Sequence, residues 1–180
     1  GKSTLLLHLN GLLRGRGEIT VCGLPVTAPH LDAIRRQVGL VFQDPDDQLF
    51  MPSVADEVAY AAINAGYDRD EIRRRVAAAL AAVGLTDLEH KHPLHLSAGQ
   101  KKRLAIASVL VTDNRLLALD EPSAGLDPAA RRTLRDLLAH LPGTQIIATH
   151  DLDLAAALCP RAVVMAGGAV AYDGATAPLL

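Results

Sequence analysis

Tryptophan is absent, and two phenylalanines and three tyrosines supply all the Phe, Tyr and Trp rings of the chain. So few rings exclude a stacking platform for single-stranded nucleic acid. The core has to be built from Leu, Val, Ile and Ala. Charge of either sign is hardly in excess: 18 Lys and Arg face 20 Asp and Glu, a formal net charge of −2. That balance gives no bulk attraction for nucleic acid, and no acidic or basic tail stands out. The two cysteines, Cys22 and Cys159, lie far apart. They fit neither a disulfide framework nor a metal knuckle, and they suit a reducing, cytoplasmic setting. No run approaches the ~20 apolar residues of a membrane span. The stretch Ala162–Tyr172 is short and broken by glycines. No stretch reads as a signal peptide, an internal repeat or a low-complexity linker.

What remains is ordinary for a folded domain: 180 residues, 49% apolar and 21% charged. Apolar runs alternate with amphipathic stretches. "KSTLLLHLNGLL" has helical spacing, "EITVCG" and "QVGLVFQD" read as strands, and "SVADEVAYAAINAG" is a helix opened by an N-cap serine. "DRDEIRRRVAAALAAVGL" and "SAGQKKRLAIASVLV" are further helices, the first stopping near Gly84. "RLLALD", "TQIIATH" and "RAVVMA" are strands, separated by the helical "DPAARRTLRDLLAHL" and "DLDLAAALC". This alternation predicts an α/β fold with a mainly parallel sheet covered on both faces. A helical subdomain is expected at about residues 45–115, set into one of the sheet's connections.

Three apolar runs end in polar groups: "VGLVF" before Gln43, "LLAL" before Asp120 and Glu121, and "IIAT" before His150. In an open parallel sheet, ligands bind at the carboxyl ends of the strands. The helix beginning at Lys2 points its N-terminus at the same edge, and a helix N-terminus favours phosphate. An amide, two carboxylates, an imidazole, a lysine and a hydroxyl are the parts that phosphoryl transfer needs. Each signal is weak alone. "GKST" arises often by chance, strands often end in Asp at turns, and a lone histidine is usually structural. Their order is what carries weight.

Gly1, Lys2 and Ser3 match the last three positions of a Walker A loop, G-x-x-x-x-G-K-[ST]. "VFQD" then reads as a Q-loop, "LSAGQ" (Leu96–Gln100) as a signature motif and "LLALDEP" as a Walker B strand. "SAGLD" (Ser123–Asp127) reads as a D-loop and "ATHD" as an H-loop. In this order, and spanning essentially the whole chain, the motifs resemble those of ATP-binding-cassette ATPases, which are P-loop NTPases. The domain implied is residues 1–180.

The resemblance implies ATP and Mg2+. Gly1 would close the phosphate loop, Lys2 would reach the β- and γ-phosphates, Ser3 would ligate Mg2+ and Thr4 would touch the α-phosphate. Gln43 would contact Mg2+ and the attacking water, and Asp120 would hold Mg2+. Glu121 would polarise the water and His150 would bond the γ-phosphate. Ser97, Ala98, Gly99 and Gln100 would cover the γ-phosphate of a second ATPase subunit, identical or related, in a head-to-tail dimer; Asp127 would serve the same nucleotide interface. Ala98 stands where the family usually has glycine, a small change that leaves function expected. The implied partners are that second subunit, a transmembrane coupling subunit and a substrate-binding membrane subunit, with no nucleic acid. The implied location is peripheral, on the cytoplasmic face of the membrane.

"VFQDPDDQLFMPSVADEVAYA" and "LSAGQKKRLAIASVL" further resemble the ATPases of energy-coupling-factor transporters, with cobalt or nickel importers closest. Vitamin uptake and a non-transport cassette are the alternatives. A chromosome-maintenance cassette would carry a coiled coil between Lys2 and Ser97, and no heptad run is there. A translation-factor cassette would be doubled, and a small-molecule kinase leaves "LSAGQ" and "SAGLD" unexplained. His90, His92 and His95 in "HKHPLH" read as surface-loop histidines, because Pro93 breaks helical ligand spacing. The family's adenine-stacking strand pair and the glycine-rich first half of the loop fall before Gly1, and a further helix falls after "GATAPLL". Losing three charge-assisted contacts of ~1.5–3 kcal/mol each lowers affinity about a thousandfold or more. The chain as written is therefore expected to bind ATP poorly and to be prone to aggregation.

Overall fold

The computed structural model describes residues 1–179, so Leu180, the last residue of the expected domain, lies outside the described residues. The chain begins with helix α1 (Lys2–Leu9), followed by a small ribbon of β1 (Thr20–Val21) and β2 (Leu24–Pro25). Helix α2 (Leu31–Gln37) leads directly into strand β3 (Val38–Val41). Three helices come next: α3 (Val54–Asn64), α4 (Arg69–Ala82) and α5 (Ala98–Leu110). Strand β4 (Leu116–Asp120), helix α6 (Pro128–His140), strand β5 (Thr144–Ala148) and helix α7 (Leu152–Leu158) alternate after them. The described chain closes on β6 (Arg161–Ala166) and β7 (Ala169–Ala175) and a short turn.

Strands β3, β4 and β5 form a parallel sheet with β4 in the middle. Val38 lies opposite Leu116, and Leu116 opposite Thr144. Every residue of β4 is buried, as expected of a parallel strand covered on both faces. The two-residue period of the strand splits them. Leu117 and Leu119 join Val58, Leu80, Leu104 and Leu134 in the larger core. Leu116 and Ala118 join Leu6 of α1 and Ile34 of α2 in the smaller one. The α/β architecture with a parallel sheet is therefore the one the alternating pattern predicts.

Helices α3, α4 and α5 pack on one another on the larger-core side. Each has a side-chain cap: Ser53 accepts from the Asp56 N–H, Asp68 from Asp70 and Glu71, and Ser97 from Gln100. Such caps satisfy donors that a helix start otherwise leaves free. Arg75 of α4 lies 4.1 Å over the Tyr67 ring and bonds both carboxylate oxygens of Asp113 at 3.0 Å. Those contacts bind α4 to the turn that enters β4.

The structure differs from the sequence reading in three places. Helix α1 stops at Leu9 rather than running through "NGLL": Gly11 has φ +69°, and a Cβ there would meet the Leu31 side chain at 2.2 Å. Helix α2 has no counterpart in that reading. Strand β6 does not join the parallel sheet; it pairs antiparallel with β7. The turn between them is Gly167–Gly168, with φ of +58° and +82°, the two positive values that a tight hairpin demands.

Candidate functional site

The parallel register brings the carboxyl ends of β3, β4 and β5 to one edge. Gln43 follows β3, Asp120 ends β4 with Glu121 next, and Thr149 and His150 follow β5. Helix α1 packs on β4 and β5 and starts at Lys2, with Gly1 as its N-cap residue and no side chain capping it. Its first N–H groups are thereby available at the edge. Ser3, Leu6, Phe42, Gln43, Asp44 and Asp120 line a cleft of about 420 Å³.

Glu121 is the hub of this edge and is 8% exposed. Its Oε2 accepts from the Thr149 hydroxyl at 3.2 Å, the His150 N–H at 3.2 Å and the His150 ring at 2.8 Å. An ionised carboxylate only accepts, so this contact assigns the proton to His150 Nδ1. Oε1 faces the Lys2 ammonium at 3.7 Å. Burial pushes the Glu121 carboxyl up, but the hydrogen bonds and charge of His150, with the Thr149 hydroxyl, outweigh it and hold it below the usual range. The Glu121 backbone has φ +42°, a left-handed conformation that a non-glycine residue keeps only when its surroundings impose it.

Asp120 is 9% exposed, and its Oδ1 is buried without a hydrogen-bond partner. A buried carboxylate oxygen costs free energy unless something pairs with it. With the Ser3 hydroxyl and the Gln43 amide on the same cleft, the donor set is all oxygen, the set a hard cation takes. Mg2+ fits these residues.

The signature residues do not line this cleft. Ser97 and Gln100 form a reciprocal capping box at the start of α5, where the Gln100 side chain accepts from the Ser97 N–H at 2.9 Å. Gly99 packs on α6: a Cβ there would lie 3.1 Å from the Ala130 Cβ. Ala98 and Ser97 are exposed. Asp127 caps α6, accepting from the Ala129 and Ala130 N–H groups. Thr4 lies on the exposed first turn of α1 and accepts a contact from the His8 ring through its carbonyl at 2.7 Å. His92 Nδ1 accepts the Leu94 N–H, so this histidine caps its own turn.

Sequence reasoning passed over three residues that organise the edge. Thr149 supplies one of the bonds to Glu121. Ser123, 3% exposed, donates to Asp151 Oδ2 at 2.8 Å and ties the segment after Glu121 to the segment after His150. Lys102, 5% exposed, reaches the main chain at Gln43 and at Glu121. A lysine in "GQKKR" reads as surface charge, and only the fold shows it turned inward.

The family model described as ABC transporter matches residues 1–124. A Streptomyces coelicolor protein whose name describes an ABC transporter ATP-binding protein is 51% identical over 181 residues, covering 100% of this chain and 70% of its own length. The energy-coupling factor transporter ATP-binding protein EcfA of Methanocaldococcus jannaschii is 45% identical over 97% of this chain and 64% of its own. Among solved structures, CbiO1 of Clostridium perfringens, described as part of the ABC transporter complex CbiONQ, superposes with a TM-score of 0.90. It is 41% identical, over 99% of this chain and 74% of that one. The ATP-binding cassette MJ0796, a dimer in a post-hydrolysis state with ADP and Pi, gives 0.84 at 25% identity over 98% and 81%.

Proposed function

Because the chain belongs to the ABC transporter family of ATP-binding ATPases, we propose that it energises an energy-coupling-factor importer of cobalt or nickel ions, working with membrane partner subunits. One observation supports the chemical part above all others. Lys2, Ser3, Gln43, Asp120, Glu121 and His150 converge on a single sheet edge, where Glu121 is held ionised and Asp120 Oδ1 is left without a partner.

In this reading the start of α1 receives the phosphates of ATP, with Gly1 and Thr4 at the loop end and the Lys2 ammonium on the β- and γ-oxygens. Ser3, Gln43 and Asp120 hold Mg2+, which when bound neutralises phosphate charge. A water attacks the γ-phosphorus in line with the leaving ADP oxygen. Glu121 accepts the proton of that water, and ADP and inorganic phosphate leave. Ionisation of Glu121 suits a proton acceptor. His150 donates its Nδ1–H to Glu121 and orients the carboxylate; as the imidazolium it also has an Nε2–H to donate to the phosphate. Ser97, Ala98, Gly99 and Gln100 cap the nucleotide of a second ATPase subunit, identical or related, with Asp127 at the same seam. The N-terminus of α5 has the dipole for that task.

The segment after Gln43 supplies a surface for a membrane partner. Buried Glu57 accepts from the Phe50 and Met51 N–H groups at 2.8 Å. Phe50 then stands 65% exposed, edge-on to Tyr60, with Ile63 exposed nearby on the same helix as Tyr60. No described helix is long and apolar enough to cross a membrane. Docking through this surface places the protein peripherally, at the cytoplasmic face. The likenesses to EcfA and CbiO1 support the transporter class; the metal branch rests on the resemblance of the segment Val41–Ala61.

The test uses the full-length protein with its membrane partners in vesicles. ATP-dependent uptake of cobalt and nickel is compared between wild type and Glu121→Gln. Uptake of either ion that the substitution abolishes is the expected result. Hydrolysis without uptake of either ion overturns the metal assignment and leaves a vitamin or another cargo.

A further inference from the structure

Helix α5 starts at the signature motif, and its second turn carries a lysine that the hydrolytic scheme above does not use. Lys102 is 5% exposed. A charged group is seldom buried to that extent, and a methionine would fill the same space without the cost of desolvation. Burial pushes its ammonium down, and the negative charges of Asp44, Asp120 and Glu121 oppose that. The charge has therefore been kept inside for something.

Its contacts show what. Nζ donates to the Gln43 carbonyl at 2.5 Å and lies 3.3 Å from the Glu121 carbonyl. Glu121 is the residue with φ +42°. Its N–H is fixed by the Ala148 carbonyl at 2.8 Å, and its carbonyl also accepts the Ala124 N–H at 3.1 Å. Lys102 thus holds the strained peptide on its far side and the loop after β3 with the same ammonium. The rest of α5 anchors that loop too. Lys101 pairs with Asp46 at 2.6 Å, and Gln48 donates to the Ala105 carbonyl at 2.9 Å and the Ser108 hydroxyl at 3.0 Å.

We infer that Lys102 is a positioning residue for hydrolysis, setting the distance between the Gln43 and Glu121 main chains so that amide and carboxylate meet the same water. The inference rests on the roles proposed above for those two residues. A purely structural lysine would stabilise the core without acting through Glu121, and the two cases separate in a double-mutant cycle.

The experiment takes the full-length protein and measures kcat and KM for ATP, with thermal midpoints, for Lys102→Met, Lys102→Arg, Glu121→Gln and the Lys102→Met, Glu121→Gln double variant. Displacement of a reacting group by an ångström costs about tenfold to a hundredfold in rate. The expected result is such a loss in kcat for Lys102→Met, with KM little changed and partial recovery in Lys102→Arg. Added to Glu121→Gln, Lys102→Met should lower the remaining rate by less than it does alone. A full multiplicative loss in the double variant, or an undiminished kcat in Lys102→Met, overturns the inference alone. Should Lys102→Met not fold, Lys102→Gln, which keeps a donor, takes its place in the same cycle. A wild-type protein that does not hydrolyse ATP overturns the functional reading and this inference with it.

Discussion

The Lys2 ammonium lies 3.7 Å from Glu121 Oε1, so the first residue of α1 and the first residue beyond β4 face each other across the sheet edge. The opposite oxygen of the same carboxylate belongs to His150 and Thr149. Glu121 is therefore held from both sides, and it is kept ionised where a water can reach it. Glu121→Gln keeps the shape and removes the proton acceptor proposed above. Hydrolysis should fall by about 10²–10⁴-fold, the usual share of a general base. ATP affinity should change little, as measured by single-turnover kinetics beside equilibrium nucleotide binding. Hydrolysis at near the wild-type rate would falsify the role given to Glu121.

Asp120 should show the opposite balance between stability and activity. Its Oδ1 is buried and unpaired, a cost of about 1–3 kcal/mol in typical cases. Asp120→Asn removes a buried charge next to Glu121 and should leave the thermal midpoint unchanged or raised. Mg2+-dependent hydrolysis should fall by about two orders of magnitude or more. A clear drop in midpoint would show that the carboxylate is needed to hold the fold.

A third expectation concerns pH. The Leu154 N–H does most to hold the Asp151 carboxyl below its usual range; burial opposes it, and the Ser123 hydroxyl and Arg131 guanidinium add to it. A carboxylate with a depressed folded pKa stabilises the fold above its unfolded value, about 3.9, and loses that contribution as pH falls through the folded value. Asp151→Asn keeps an oxygen for the cap but loses the charge that strengthens these bonds and faces Arg131, and should cost about 1 kcal/mol or less near neutral pH. The gap between the two proteins should close as pH is lowered below about 4. Denaturant melts at several pH values check this, and a gap that widens in acid goes against it.

These contacts differ in how far the sequence displays them. Strand β4 is legible because five buried residues between a loop and a proline-stopped turn allow little else. The meeting of Gln43, Asp120 and His150 at one edge follows from parallel strands joined through helices, whereas the central place of β4 comes only from the fold. Strand β6 is legible as a strand but not as half of a hairpin, since Gly167–Gly168 reads equally as a break. The pairing of His150 with Glu121 requires β4 and β5 in register, which no local pattern gives. Lys102 is hidden for a different reason. A helical lysine beside two other cations looks solvated until the loop after β3 is folded over it.

Ser97 offers a test that separates capping from catalysis. Its hydroxyl accepts the Gln100 N–H, and Gln100 returns the bond. Ser97→Ala should cost about 1 kcal/mol of stability, whereas Ser97→Thr should cost far less. If Ser97 also serves the nucleotide of a partner subunit, hydrolysis in Ser97→Ala should fall well beyond what the lost stability explains. A rate that merely tracks the folded fraction would confine Ser97 to its cap.

The sheet also dictates when the site comes into being. Val38 pairs with Leu116, and helices α3, α4 and α5 all lie between them in the chain. Closing so long a loop is entropically costly, and contacts of this range form slowly. The three helices pack locally and can condense first. In pulse-labelled hydrogen exchange, amides of α3 and α4 should be protected before those of β4; the reverse order would contradict this. The sheet edge that gathers Lys2, Gln43, Glu121 and His150 should then form after those helices. With the nucleotide held at that edge as proposed, ATP would stabilise completed molecules and leave partly folded ones unaided.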